Sequence, residues 1–166
     1  MLISIVVAAD LHNGIGANNG LLWQIPADMH YFKEITVGHH VLMGKNTYLS
    51  IPNKYRPLVE RTNIVISQDK SFETEGAKVF SNIEEGIQFA EENGEKELMI
   101  IGGGKIYEAS LKKVKRIYLT RVNHTFAQAD TFFPFIEKHK WHLKTSKLQL
   151  KGTNTDYDLM FEIWEK

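Results

Sequence analysis

A chain of 166 residues with 43% hydrophobic and 24% charged content is long enough to bury roughly 70% of the surface its unfolded form exposes, so one domain spanning 1–166 is expected. Twenty Lys plus Arg against twenty Asp plus Glu leave a formal net charge of +0, which excludes recruitment of nucleic acid or an anionic membrane by a global field. The absence of cysteine excludes disulfide frameworks, cysteine-based zinc sites and thiol nucleophiles, and suits the reducing cytoplasm.

The opening "MLISIVVAAD" is apolar but short, lacks a basic flank and runs straight into Asp10, so it reads as a buried strand over 3–9 rather than a signal peptide or membrane span. Similar apolar runs bounded by turn formers predict central strands at 41–43, 63–67 and 98–101. Helical patterns fall between them at 27–35, 45–50, 83–92 and 105–111. The third helix is expected to start on a capping box, Ser81 with Glu84, and to stop at Asn93-Gly94. Strands alternating with helices predict a mainly parallel sheet in an α/β domain. The last third changes character. "RIYLTRV", "WHLKTSKLQL" and "YDLMFEIWE" alternate polar and apolar residues, as antiparallel strands with one wet face do, and the last two form a terminal hairpin turning in "KGTNTD". The seven histidines, His39-His40 included, show no metal-ligand spacing and read as surface or packing residues.

"LLWQIPADMHYFK" carries one lone carboxylate, Asp28, just after a proline suited to the first helical position. An acid in a first helical turn is stabilised by the free amides and dipole there, which would account for it without any function. Yet Asp28 shares a face with Phe32 and Ile35, beside Tyr31, and a carboxylate on an apolar face is costly unless something positive or hydrogen-bonding meets it. A flat ligand with N–H donors, stacked on Phe32, would serve; so would a protein cation. The stretch alone leaves both readings open.

"IIGGGKIY" follows a strand and opens a helix, which lets backbone approach a phosphate and amides point at it. It is neither a P-loop nor the dinucleotide fingerprint, because Lys105 is followed by Ile106 and Tyr107 stands where a third glycine is needed. "VLMGKNTYLS" makes a second such turn, with Gly44, Lys45, Asn46 and Thr47. Two glycine-lysine turns after strands suggest a ligand with several phosphates lying across the carboxyl ends of the sheet.

In this order and spacing, "GIGANNGLLWQIPADMHYFK", "VLMGKNTYLSI", "RTNIVIS", "IIGGGKIYE", "IYLTRV", "ADTFFP" and "YDLMFEIWE" resemble the dihydrofolate reductases of bacterial type over essentially the whole chain. The resemblance implies a mostly parallel eight-stranded sheet with a C-terminal antiparallel hairpin and about four flanking helices. It implies reduction of 7,8-dihydrofolate by NADPH, antifolate inhibitors as further ligands, and a cytoplasmic monomer needing no metal. Asp28 matches the pocket acid that binds the pteridine 2-amino group and N3 and favours protonation at N5; Trp23 matches a tryptophan that holds ordered water, and Thr120 the hydroxyl on the acid. Val6, Met29, Phe32 and Ile51 match the apolar walls, Arg61 the arginine on the glutamate tail, and the carbonyls of Val6 and Ile101 the partners of the pteridine 4-position. Val7, Arg56, Leu58 and Tyr107 complete the substrate side that the resemblance implies.

For the cofactor, the resemblance assigns Ala8, Ile15, Gly16, Asn19, Gly20 and Leu21 to the nicotinamide side and its loop, and Gly44, Lys45, Asn46, Thr47 and Ser50 to one phosphate region. Ile66, Ser67 and Gln68 fall on the adenosine side, and Ile101, Gly102, Gly103, Gly104, Lys105, Ile106 and Tyr107 at the pyrophosphate turn. There are departures. Leu22 replaces a usual proline, Ala129 a frequent glycine, Lys45 and Lys105 frequent arginines, and Gln68 stands where a hydroxyl residue often helps hold the 2′-phosphate. A reductase of flavin synthesis, sharing the fold, and a non-catalytic pteridine or nucleotide binder are the rivals; Asp28 with Phe32 and Arg61 speaks against the first, Trp23 and Thr120 with the glycine run against the second.

Overall fold

Alternate side chains of a strand point to opposite faces, and in the computed structural model, which describes residues 1–166, that rule sorts the core into two layers around one sheet. Strands β1 (Leu2–Ala9), β3 (His40–Gly44), β4 (Thr62–Ile66) and β6 (Glu97–Gly102) are buried along most of their length. On one face Ile5, Val7, Leu42, Ile64, Leu98 and Ile100 pack with Tyr107, Phe133 and Trp141. On the other, Val6, Val41, Met43, Val65 and Met99 pack with Tyr48, Phe32 and Ile35. A strand covered on both faces is a continuous apolar run, which is why these four were legible.

The sheet has eight strands in the order β5-β4-β3-β6-β1-β7-β10-β9, with β5 at Ala77–Phe80, β7 at Arg116–Val122, β9 at His142–Gln149 and β10 at Leu159–Glu165. All pairings are parallel except those of β10 with β7 and β9. Four helices flank it: α1 (Pro26–Thr36), α2 (Lys45–Ser50), α3 (Ile83–Glu92) and α4 (Gly104–Ser110). A two-stranded ribbon, β2 (Gly14–Gly16) with β8 (Thr131–Phe132), lies apart from the main sheet. No helix is long and apolar enough to cross a membrane.

Two local expectations are corrected. The start of α3 is capped one residue later than Ser81: Asn82 accepts from the Glu85 amide at 2.9 Å, and Glu85, not Glu84, reaches back to the amide and hydroxyl of Ser81. Asn is as good an N-cap as Ser, and the box shifts with it. Strand β9 does not keep one dry face; all but its last residue are exposed, because it is the sheet's edge and nothing covers it.

The carboxyl ends of β1, β3, β4 and β6 open on the same side of the sheet and run into Asp10, Lys45, Ser67 and Gly103. That edge is where open α/β sheets bind ligands.

Candidate active site

Helix α1 begins with Pro26 at its first position and has no side-chain cap; its Asp28 carboxylate does not turn back to the helix amides. It lies instead between side chains from the loop before α1 and from a strand of the sheet. The Trp23 indole Nε1 donates to Asp28 Oδ2 at 3.4 Å, and the hydroxyl of Thr120, a buried residue of β7, also favours the charged form. Burial acts the other way and more strongly, so the carboxyl sits above its ordinary value. No Lys or Arg side chain pairs with it. Trp23 thus reaches the acid directly rather than only through water.

Val6, Phe32, Ile51, Leu58 and Ile101 fall in one apolar cluster against this acid's helix, while Met29 stands 57% exposed beside it. Val7 points to the opposite face of the sheet. Tyr107 crosses from α4 and donates its hydroxyl to the Val6 carbonyl at 2.8 Å; burial pushes that phenol well above its ordinary value, with the Asp28 charge adding to the effect. The Val6 carbonyl keeps a second lone pair for a ligand.

Arg61 is held by its Nε on the Val59 carbonyl, 2.8 Å, and by Nη1 on Thr36 Oγ1, 3.1 Å, which leaves Nη2 without a protein partner. Burial lowers its pKa, with Glu60 opposing. Thr36 is fully buried and in turn donates to the Phe32 carbonyl at 2.7 Å, so the C-terminal turn of α1 aims the guanidinium. Arg56 is placed otherwise. Its Nη1 donates to the carbonyls of Leu49 and Ile51 at 2.9 and 3.2 Å, bracing the end of α2, and its guanidinium lies 5.6 Å from the Tyr48 ring.

The two glycine-lysine turns abut. A Cβ on Gly103 would come within 3.1 Å of Thr47 Oγ1 from the start of α2, and one on Gly104 within 2.9 Å of Thr131 Cγ2 from β8. Gly102 has φ +128, closed to other residues, and a cis peptide joins it to Gly103. Thr47 meets Gly103 and Gly44 meets Ile106 of α4, so the starts of α2 and α4 form a cradle whose close-set backbone suits a pyrophosphate. Ser50 turns its hydroxyl to the Thr47 carbonyl, Ser67 is buried and accepts from the Asp69 amide, and Gln68 and Lys105 are exposed. Ile15, Ile66 and Ile106 pack against the larger core cluster and Ala8 against the cluster around Trp23, while Ile101 joins the substrate-side wall. No group of three or more His, Asp or Glu is placed to hold a metal.

The loop from Asp10 to Trp23 is tied down by a residue that sequence reading passed over. Asp10 is 1% exposed, and its carboxylate accepts from the amides of His12, Gly14 and Phe126 at 2.9, 2.7 and 2.9 Å. An acid directly after an apolar strand and before Asn-Gly was the available signal. Farther on, Ala17 and Gly20 close a two-residue turn through Asn18 and Asn19, both at positive φ, and Asp130 holds it by accepting from the Asn18 amide and donating its own amide to the Gly16 carbonyl. Asn19, Gly20 and Leu21 are exposed at its tip, while Gly16 is buried and a Cβ there would lie 2.9 Å from the Gly20 carbonyl. Asn63, a buried amide on β4, was missed as well. It bonds Leu58 in both directions and the Arg61 carbonyl, and so shapes the loop that carries Arg61.

Comparison with known proteins agrees over the whole chain. A family model described as "Dihydrofolate reductase" matches residues 2–166. A protein of Bacillus subtilis named "Dihydrofolate reductase" is 34% identical over 165 residues, 99% of this chain and 95% of that one. One of Haemophilus influenzae with the same name is 36% identical over 163 residues, 98% of each. Among solved structures, "Dihydrofolate reductase from Enterococcus faecalis complexed with NADP(H) and RAB-propyl" superposes with a TM-score of 0.90 at 27% identity, covering 99% of this chain and 95% of that one.

Proposed function

The chain belongs to the dihydrofolate reductase family, and on that premise we propose which of its residues carry the NADPH-dependent reduction of 7,8-dihydrofolate to tetrahydrofolate. NADPH, when bound, supplies the hydride, from nicotinamide C4 to pteridine C6. Asp28 binds the pteridine 2-amino group and N3 as a charge-assisted pair and favours the proton at N5. Trp23 and Thr120 keep enough negative charge on that carboxylate for the task, against the burial that raises its pKa. Val6, Phe32, Ile51, Leu58 and Ile101 exclude water around the ring, Met29 covers the open side, and the Val6 and Ile101 carbonyls accept from the 4-position. Arg61, aimed by Thr36 with Nη2 uncommitted, grips the α-carboxylate of the glutamate tail. Antifolates occupy the same cleft.

Gly102 to Gly104 with Thr47 cradle the cofactor's pyrophosphate, Lys45, Asn46, Ser67 and Gln68 its adenosine half, and Ala8, Ile15 and Gly16 its nicotinamide. The loop closed by Asn18 and Asn19 is the gate over the reacting rings. The chain acts as one domain, a cytoplasmic monomer.

The observation that carries this reading is the Asp28 carboxylate, desolvated between an indole N–H and a hydroxyl with no cation to neutralise it. Such a group calls for a ligand with N–H donors. Purified protein should oxidise NADPH when given dihydrofolate and not when given the ribosylated pyrimidine of flavin synthesis. The reverse preference, or binding without oxidation, would overturn the assignment.

A further inference from the structure

The start of α2 and the loop after β4 meet at the carboxyl ends of two adjacent parallel strands. There Lys45 Nζ lies 2.9 Å from Asp69 Oδ2 and 4.9 Å over the Phe72 ring. Asp69 is itself anchored. Its Oδ1 accepts from the Ser71 hydroxyl at 2.6 Å and the Ser71 amide at 3.0 Å, and its own amide donates to Ser67 Oγ at 3.2 Å. The Ser71 hydroxyl, then Lys45, hold its carboxyl down to about 2, so it is an anion at any working pH.

The Lys45 and Asp69 side chains are 31% and 46% exposed, and an exposed ion pair adds little to stability. The pair has a consequence for ligands instead. Taking Lys45, Ser67 and Gln68 as the adenosine side, as proposed above, the ion pair stands where NADPH and NADH differ, at a ribose 2′-phosphate bearing close to two negative charges. We propose that Asp69 is a specificity-determining residue, a built-in competitor that holds Lys45 in the free enzyme and must yield it before the 2′-phosphate of NADPH can bind. Lysine is a compact point charge on a rotatable stem, so the attraction it gives Asp69 is withheld from the phosphate, where an arginine fork has more donors to divide between two anions. The Ser71 contacts keep Asp69 in place, so it is Lys45 that swings. The carboxylate left behind repels the phosphate. The enzyme therefore favours NADPH over NADH by less than Lys45 alone would give.

The test is binding, read by quenching of protein fluorescence with NADPH and with NADH, no folate present. Asp69→Asn should tighten NADPH about two- to fivefold and leave NADH unchanged, the scale of one exposed charge interaction. Ser71→Ala, which loosens the carboxylate without removing it, should shift NADPH the same way by less. Lys45→Gln should weaken NADPH alone. If Lys45→Gln leaves NADPH affinity intact, the placement of the cofactor fails, and this inference with it. If Lys45→Gln is selective while Asp69→Asn leaves NADPH unchanged or shifts both cofactors equally, the inference alone is overturned.

Discussion

The amide of Ala27 donates to the carbonyl of Asn154 at 3.0 Å, so the turn between β9 and β10 supplies an acceptor to the uncapped first turn of the helix that carries Asp28. Thr155, 3% exposed, holds that turn: its hydroxyl donates to the Tyr157 carbonyl at 2.6 Å and accepts from the Tyr157 amide at 3.2 Å. Thr155→Val keeps the shape and removes both bonds. It should cost about 1–3 kcal/mol in urea denaturation, the range for buried groups left unpaired. An unchanged midpoint would show that other contacts hold the turn.

Asp28→Asn should lower turnover at neutral pH by about 10²- to 10⁴-fold, with partial recovery in acid. The same substitution should stabilise the protein. The folded chain holds the Asp28 proton more tightly than the unfolded chain, so ionisation disfavours folding once pH rises above the ordinary carboxyl value, and fully above the folded one. Asparagine is free of that penalty. Its advantage in thermal unfolding should be present at neutral pH and vanish as pH falls below the ordinary carboxyl value. A variant no more stable than the wild type at neutral pH would contradict the desolvated carboxylate.

Trp23→Phe keeps a ring against Phe126, whose centroid is 5.3 Å away, but removes the indole donor to Asp28. A lost hydrogen bond to the charged form raises a pKa. The apparent pKa in the turnover profile should therefore move upward. A profile that stays in place while overall rate falls would assign Trp23 to packing alone.

Thr36→Val is nearly isosteric and takes away the acceptor that aims Arg61. KM for dihydrofolate should rise about fivefold, the scale of one net hydrogen bond, with kcat and KM for NADPH unchanged. A dihydropterin lacking the glutamate tail should not sense the change. Equal losses for both substrates would mean that Thr36 only supports the helix. Arg61→Ala should weaken dihydrofolate by more, about 2–5 kcal/mol.

His39 and His40 are joined through Glu95, whose side chain is 6% exposed: Oε1 meets His39 Nδ1 at 3.0 Å, and Oε2 meets His40 Nδ1 at 2.7 Å and the His40 amide at 2.6 Å. Desolvation opposes its charge, but the Glu97 amide and these groups outweigh it and hold the carboxyl down from 4.5 to about 2. A depressed folded pKa contributes stability above the ordinary value that is lost as pH falls through the folded one. Glu95→Gln should be less stable than the wild type by about 2 kcal/mol at neutral pH, the range for a broken buried network, and the gap should close between pH 4.5 and about 2. A gap independent of pH would trace to packing rather than charge.

Residues whose signal is local were legible in the sequence. The buried strands β1, β3, β4 and β6 announce themselves as apolar runs, the helices by their period, with Pro26 opening α1 and Asn93-Gly94 closing α3, and the turn at Gly102–Gly104 by a glycine run where added side chains would collide or strain the backbone. Edge strand β5 and the ribbon of β2 with β8 were not read from periodicity, since a short, half-exposed strand has too few residues to show a pattern and gains its identity from its partner. From its own stretch Asp28 could be singled out but not decided, because a first-turn acid and a pocket acid look alike there; the resemblance chose between them, and the physical reason, Trp23 and Thr120 arriving from elsewhere in the chain, is visible only in the fold. Arg56 and Arg61, five residues apart, were separated in the sequence only by the resemblance, which gave Arg61 the glutamate tail; nothing in their spacing told what each guanidinium would touch. One turns to the end of α2 and the other to Thr36, and the Asn63 bridge and the packing of α1 set that difference. Asp10 and the Lys45–Asp69 pair belong with them, for a side chain's partner across the fold follows from where strands place it in three dimensions and from no spacing along the chain.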